Sequence, residues 1–227
     1  MTTSRILLFI IAPALLFGCS STKTVRIAVP PRVDLKAYPA IGLVTFDSNG
    51  NGDLQRMATQ SFLREVQKAQ PGTKVVELGS EKDVLASVGK QSWDAATLKA
   101  IKEKHGVDVV ATGRLDMDKA KAKVALSSGS LWKAINARAD VKVALSAKLT
   151  ETANGATVWT DSGSSITNVA HANFNDRGDG TFGASDPQAA YGPMIDGLSC
   201  QITDAFRTHY VTERVPKDEV QTASGRD

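Results

Sequence analysis

The chain has 227 residues, of which 42% are hydrophobic, and this is enough to form one domain with a sizeable core. Its 27 Lys and Arg residues against 24 Asp and Glu residues give a formal net charge of +3, a field too weak to favour a nucleic-acid partner. With two cysteines, Cys19 and Cys200, a framework of several disulfides is excluded.

The N-terminus has the composition of a bacterial export signal. An apolar run from Ile6 to Phe17 follows the basic residue Arg5, and this run is too short for a permanent membrane helix. Leu16-Phe17-Gly18-Cys19 closes the run and resembles the lipobox of bacterial lipoproteins, in which the chain is cut before the cysteine and the new N-terminus is acylated. We therefore predict a signal peptide over residues 1–18 and lipidation at Cys19.

The residues after Cys19 predict a location and a set of domain boundaries. Ser20 stands where an aspartate is associated with inner-membrane retention in some bacteria, so we expect the outer membrane, with the protein on its periplasmic face. Residues 19–39 are polar and punctuated by prolines, which predicts an extended lipidated tether. A single folded domain is predicted over residues 40–211 and a disordered tail over residues 212–227.

Short apolar strands alternate with helical patterns in the first half of this domain. The strands are predicted at Ile41–Phe46, Lys74–Leu78 and Val107–Leu115. Three helices lie between them, each bounded by residues that favour a helix start or stop, namely Asp53 and Pro71, Ser80 and Gly89, and Asp94 and Gly106.

Longer alternating strands follow in the second half. Residues 120–126 and 139–149 alternate apolar with mostly polar side chains, and Asn154-Gly155 signals a tight turn before a further extended stretch up to Ala170. Residues 173–187 are predicted to form a loop, and a last helix buries Met194 or Ile195, Leu198, Ile202 and Phe206. The predicted fold class is α+β, a twisted mixed sheet with a β-α-β-α-α-β start, an antiparallel meander and a closing C-terminal helix.

Several of these segments are similar to a known group of envelope domains. Ile41-Gly42-Leu43-Val44-Thr45-Phe46, the helix after it and the Gly-x-Asp-x-x-x-x-Gly pattern of residues 106–113 resemble the domain shared by the TolB N-terminal region, the curli channel protein CsgG and the penicillin-binding-protein activator LpoB. Asn154-Gly155 followed by Val158-Trp159 matches the hairpin turn and apolar-Trp pair of that group. The resemblance covers about residues 33–165 and the last helix, and it implies a fold and an envelope location.

Three short motifs have both a functional and a structural interpretation. Residues 47–52 open like a calcium loop, but position twelve of that register is Ala58 and lacks a bidentate carboxylate, so we predict a strand-to-helix turn. Residues 178–183 spell Gly-x-Gly-x-x-Gly without the strand and helix that a dinucleotide site requires. The alternating lysines at 119, 121 and 123 have the charge to contact lipid headgroups or an anionic polymer, but we predict a solvated face or a protected strand edge.

The candidate reactive side chains are scattered along the chain. His105, His171 and His209 share no metal or nucleophile motif, and His105 and His209 are predicted to lie at helix C-termini, where a cation is favourable. A hydrolase would need His171 to be buried beside a carboxylate. Cys200 is predicted to be a quiet, partly buried thiol, with an intermolecular disulfide as the alternative. We predict no catalytic residue, no metal and no cofactor.

These features favour a non-enzymatic outer-membrane lipoprotein that acts through protein contacts as an assembly, adaptor or activator component of an envelope complex. The expected partners are other envelope proteins and the membrane itself, through the lipid on Cys19, and a homo-oligomer is also open. The alternative is an oligomeric CsgG-like secretion-channel subunit. Residues 139–149 have the length and alternation of a membrane-crossing strand but no aromatic girdles, so we predict a strand of the domain sheet there.

Overall fold

The structure is a computed structural model that describes residues 22–50, 52–118, 121–126, 135–174, 180–184 and 187–216. The chain divides into two compact units. The larger unit, Pro30–Thr208, is named the core unit. The smaller unit contains the strands near the two ends of the chain and is named the terminal ribbon.

The described residues contain ten strands and four α-helices. The strands are β1 (Thr22–Val29), β2 (Ile41–Val44), β3 (Asp47–Ser48), β4 (Val75–Gly79), β5 (Val109–Met117), β6 (Lys121–Leu126), β7 (Ile135–Glu151), β8 (Thr157–Phe174), β9 (Gly180–Ala184) and β10 (His209–Pro216). The helices are α1 (Gly52–Ala69), α2 (Glu81–Ser87), α3 (Ala95–His105) and α4 (Pro187–Ile202). Short 3-10 helices occur at Leu35–Ala37 and Thr203–Phe206.

One mixed sheet of eight strands organises the core unit, in the order β4-β2-β5-β7-β8-β9. Strand β2, next to the edge strand β4, is parallel to both β4 and β5, whereas β5, β7, β8 and β9 pair in antiparallel fashion. In addition, β3 pairs with β5, and β6 pairs with the first part of β7. The predicted fold class, with its β-α-β-α-α-β start, its meander and its late helix, is therefore confirmed.

Local signals place the helix ends where the sequence predicts them. The Ser80 hydroxyl accepts a hydrogen bond from Asp83 N at 3.2 Å, and the Asp83 carboxylate accepts one from Ser80 N, which completes the predicted capping box of α2. The Asp94 carboxylate accepts from Thr97 N at 2.7 Å and caps α3, which ends at Gly106 with a left-handed φ of 64°.

The main core lies between one face of the sheet and helices α1 and α4. The apolar faces of both helices are buried there, and so are alternate residues of β7 from Val141 to Leu149. Four aromatic rings meet in this core, with Phe46 and Phe62 at 5.1 Å and Trp159 and Phe206 at 4.7 Å between ring centroids. Aromatic contacts of this kind add to the burial of apolar area.

A second, smaller core covers part of the opposite sheet face. Helices α2 and α3 bury Val84, Leu98 and Ile101 against Val44 and Val110 of β2 and β5. Because these two helices are short, they cover the β4-β2-β5 side of the sheet but leave the same face of β7 and β8 without a helical layer. The β4-β2-β5 part of the sheet therefore has helices on both faces, which makes three layers. The β7-β8 part has helices on one face, which makes two layers.

A buried glutamine joins three separate segments of the core unit. Gln70, just after α1, donates to the carbonyl oxygens of Val33 and Phe206 at 2.7 and 3.0 Å, and its Oε1 accepts from Leu35 N at 2.8 Å. Val33 N also donates to Ala205 O at 3.2 Å. The first and last segments of the core unit are therefore fastened to each other and to the end of α1.

The terminal ribbon differs from the predicted tether and tail. Strands β1 and β10 pair in antiparallel fashion from Thr22–Pro216 to Val29–His209, so residues 22–29 of the expected tether and residues 212–216 of the expected tail are strand. Residues 35–37 of the same expected tether are helical, and Leu35 is buried in the main core. The remaining residues of the predicted tail, 217–227, lie outside the described residues.

The loop predicted over residues 173–187 is also wrong in part. Asn173 and Phe174 complete β8, Gly180–Ala184 form β9, and Pro187 begins α4. The glycines at 180 and 183 therefore lie in a strand that pairs with β8 and do not form a phosphate-binding turn. Glycine-rich composition mimics a loop, but pairing with a long neighbouring strand overrides that preference.

Candidate functional site

The predicted lipidation site, Cys19, and the signal peptide before it lie outside the described residues. Their assignment thus stays a prediction from the sequence. Within the part of the chain that the structure describes, none of the helices has both the length and the apolar character that crossing a membrane requires.

The part of the sheet face that α2 and α3 leave open is exposed on β7 and β8. Between the register shifts at Ala139/Asp140 and Leu149/Thr150, side chains of β7 and β8 alternate between the two faces of the sheet. The exposed residues of this stretch include Lys142, Ser146, Lys148, Ser162 and Ile166, while their neighbours along the strands are buried or partly buried. Ile166 is 65% exposed. This surface, named the open face, combines small hydroxyl side chains with lysines and one large apolar residue.

A groove of about 490 Å³ lies where the open face meets the N-terminus of α3. One wall is apolar and contains Trp93, Leu98 and Val110. The other wall contains Thr112, Lys148, Thr150 and the hairpin residues Asn154 and Gly155. A wall with an indole ring facing hydroxyl, amide and ammonium groups can bind a chain that has both apolar and polar groups.

The sequence does not single out this groove, although the groove includes the predicted cap Asp94 and the predicted turn Asn154-Gly155. Trp93 lies just before the N-terminus of α3, and Lys148 lies in β7. These two segments come together through the pairing of β5 with β7. The available signal was the polar position of Lys148 in an alternating strand, which by itself indicates solvent exposure and no particular ligand.

The residues on which the resemblance to the envelope domains is based make contacts that stabilise the fold. The Phe46 ring lies against Gly113 so closely that an added Cβ would be 2.5 Å from the ring. Asp108 accepts a bond from Lys102 at 2.9 Å through its carboxylate, and Trp159 packs in the aromatic cluster. The side chains at these positions therefore contribute to packing within the domain.

In residues 47–52, the side chains of Asp47 and Asn49, which would have to bind calcium, already have partners within the protein. The Asp47 carboxylate pairs with Arg114 at 2.8 Å. The Asn49 side chain accepts from Met117 N at 2.9 Å and donates to Met117 O at 3.0 Å. No group of three or more His, Cys, Asp or Glu side chains that could hold a metal ion occurs within the described ranges. The contacts therefore favour the predicted strand-to-helix connection.

The three histidines occupy three different elements. His105 ends α3, as predicted, and its Nε2 lies 3.1 Å from Ser87 Oγ. The placement predicted for His209 is wrong, because α4 ends at Ile202 and His209 begins β10. His171 is in β8, with a side chain outside the described part, as are the side chains of the lysine stripe in and before β6.

Cys200 is a free, partly buried thiol in α4. Its sulfur accepts a hydrogen bond from Arg207 at 3.1 Å, and Arg207 also pairs with the buried carboxylate of Glu65 at 2.6 Å. The hydrogen bond to Cys200 and the charge of Glu65 raise the pKa of Arg207 above its ordinary value. This network connects the end of α4 to α1. The thiol is partly buried, as predicted, and its predicted lack of reactivity stays a prediction.

No family model matches the chain, and no curated protein matches it. Among solved structures, a PelC dodecamer from Paraburkholderia phytofirmans is 11% identical, with a TM-score of 0.43 and coverage of 82% of this chain and 98% of that chain. Lipoprotein GNA1162 from Neisseria meningitidis is 15% identical, with a TM-score of 0.36 and coverage of 57% and 83%.

The C-terminal domain of LpoB from Salmonella enterica is 15% identical, with a TM-score of 0.32 and coverage of 60% of this chain and 84% of that chain. A domain of LpoB is therefore among the solved structures similar to this chain, as the sequence predicts, whereas the resemblance to TolB and CsgG stays a prediction. At these low identities and scores, the likeness carries no statement about activity or partners.

Proposed function

We propose that this protein is a non-enzymatic lipoprotein of the outer membrane that faces the periplasm and binds another envelope protein through its open face. The lipid on Cys19 holds it at the membrane, and the core unit supplies the contact as an assembly, adaptor or activator component. The observation that supports binding is the long two-stranded face of β7 and β8, which α2 and α3 leave uncovered beside the groove at Trp93.

The physical case for protein binding rests on the composition of the open face. Ser146 and Ser162 are cross-strand partners with small side chains, so another chain can approach the sheet closely there. Ile166 and Trp93 supply apolar anchors at two places, and Lys142 and Lys148 supply charge that favours an acidic partner surface. Apolar anchors set among polar groups are common in protein–protein contacts.

The anchor is tested by metabolic labelling with a fatty acid. The wild-type protein should incorporate the label, and Cys19→Ala should lose it because the acylated atom is removed. Cys200→Ala is the matched control and should keep the label, since that thiol lies inside α4. Equal labelling of the wild type and Cys19→Ala would contradict lipidation at this residue.

The binding surface is tested by photocrosslinking in intact cells. A photoreactive amino acid at Ser146 or Ser162 should give a discrete adduct with one partner protein, which mass spectrometry can identify. Gln67, exposed on α1 in the opposite layer, is the control position and should give no such adduct. The open face would be the wrong surface if position 67 captured the same protein with equal yield.

Conductance measurements distinguish the proposed adaptor from the alternative, a secretion-channel subunit. In the core unit, alternate residues of β7 from Val141 to Leu149 are buried against α1 and α4, so this stretch already has a role in the domain. Lipidated protein added to planar bilayers should therefore leave the conductance unchanged. Stepwise conductance that depends on the protein would favour the secretion-channel function over the adaptor function.

A further inference from the structure

The terminal ribbon has two sides of different chemistry. Cross-strand partners share a side, so the pairing of Ile27 with Val211 puts Val25, Ile27, Val29 and Val211 together on one side, called the valine side. Ile27, Val29 and Val211 are 43%, 40% and 53% exposed. His209, opposite Val29, and Glu213, opposite Val25, are polar residues that share this side.

The other side of the ribbon is basic and aromatic. It contains Arg26, Arg214 and Tyr210 together with Thr24, Ala28 and Thr212, and it is called the arginine side. The Arg26 guanidinium lies 4.9 Å from the centre of the Tyr210 ring, and Tyr210 is 60% exposed. Arginine is attracted to anionic lipid headgroups, and tyrosine favours the boundary between membrane and water.

The ribbon begins very close to the predicted lipid. Thr22, the first residue of β1, follows Cys19 by three positions, and three residues of fully extended chain span at most about 11 Å. That distance is comparable to the depth of one headgroup layer. If Cys19 carries the lipid, the first part of β1 cannot leave the surface of the membrane.

A second copy of this chain is a weaker occupant for the valine side. Eight residues of strand are about 26 Å long, and two paired strands are about 10 Å wide, so one side of the ribbon offers on the order of 260 Å². Stable protein interfaces bury about 1,200 Å² or more in total. A membrane needs no such area, because the anchor already keeps the ribbon at the surface.

We infer that the terminal ribbon is a second membrane-contact element, which lies flat in the interface with its valine side toward the acyl chains and its arginine side toward anionic headgroups. The inference rests on the proposed lipidation of Cys19, which brings the ribbon to the bilayer. It adds a contact that the lipid alone does not provide, because an amphipathic element in the interface fixes how the attached chain leaves the membrane.

Depth-dependent quenching tests this arrangement in the full lipidated protein. In a Cys200→Ser background, single cysteines replace Ile27 or Val211 on the valine side, and a fluorescent label is attached to each. Thr212→Cys on the arginine side and Gln67→Cys on α1 are the matched controls. Each labelled protein is incorporated into vesicles of phosphatidylethanolamine and phosphatidylglycerol that carry bromine on their acyl chains.

The expected result is loss of fluorescence at positions 27 and 211 and little loss at positions 212 and 67. Equal quenching at all four positions, or none at 27 and 211, would overturn the inference. Disulfide-linked dimers of Ile27→Cys in detergent, without quenching in vesicles, would also overturn it in favour of a second copy.

Failure of the anchor looks different, because protein without lipid does not sediment with the vesicles and takes up no labelled fatty acid. If the protein takes up the labelled fatty acid and sediments with the vesicles, but the fluorophores at positions 27 and 211 are not quenched, lipidation is correct and only the inference about the ribbon is wrong.

Discussion

Gly113 shows how a short sequence motif can report packing and not chemistry. The residue lies in the centre of β5, where the Phe46 ring occupies the space in which any other residue would carry its Cβ. Phe46 is almost completely buried and is in contact with Phe62. The pair of a strand-ending Phe and a glycine in the returning strand is therefore one steric fit, and its presence predicts the fold alone.

Gly113→Ala should lower the free energy of unfolding by about 1–3 kcal/mol, since the added methyl group forces the Phe46 ring out of a filled core. Gly197→Ala is the matched control, because Gly197 is exposed in α4 with open space where a methyl group would stand, and it should gain up to about 1 kcal/mol of stability. Urea denaturation of both variants measures the difference. Equal stabilities would show that the sheet accommodates the methyl group.

Ser199 presents the opposite situation, a polar atom without a polar partner. Its hydroxyl is fully buried in α4 and has no hydrogen-bond partner among the described residues. We expect Ser199→Ala to raise the free energy of unfolding by about 1 kcal/mol, because the desolvation cost of that hydroxyl disappears. Thermal denaturation measures this, and a clear loss of stability would indicate that the hydroxyl has a partner in solution.

Helix α3 depends on a carboxylate cap at the edge of the groove. Hydrogen bonds from Thr97 to the Asp94 carboxylate lower the pKa of Asp94 below its ordinary value. A carboxylate whose pKa is lower in the folded state stabilises the fold above its unfolded pKa, about 3.9, and that stabilisation is lost as the pH falls through the folded value.

The consequence is a pH-dependent difference between two variants. Asp94→Ala should melt at a lower temperature than the wild type at neutral pH, and the difference should shrink as the pH falls below about 4. Asp94→Asn keeps an acceptor oxygen at every pH and should lose less. Circular dichroism melts across this range measure the effect, and a constant difference at all pH values would contradict the role of the ionised cap.

Helix ends could be predicted from the sequence, because the residues that define them lie next to them. Elements that depend on pairing between strands far apart in the sequence could not. The capping box at Ser80, the cap at Asp94 and the stop at Gly106 lie within a few residues of the ends they define. The terminal ribbon pairs two strands that are far apart in the sequence, and the polar residues of β1 with the prolines that follow it resemble a tether. The groove at Trp93 likewise depends on strand order, which composition and periodicity do not determine.

At the scale of the whole molecule, the Gln70 side chain helps to join the first and last segments of the core unit. Gln70 holds both the Val33–Leu35 segment and Phe206 through three hydrogen bonds. Gln70→Ala should lower the free energy of unfolding by at least about 2 kcal/mol, because buried backbone groups lose their partners. Gln67→Ala, on the exposed side of α1, should change it by less than about 0.5 kcal/mol. Guanidinium denaturation compares the two, and similar values would mean that water replaces the amide.

The Gln70 contacts also bear on how the protein withstands force. If Cys19 carries the lipid and the open face binds a partner, tension acts along the backbone whenever the membrane and the partner are pulled apart. That tension runs along β1 and reaches the core unit at Val33 and Leu35, whose backbone groups are held by Gln70 and Ala205. The first hydrogen bonds of the core unit on this path are therefore those to Gln70 and Ala205.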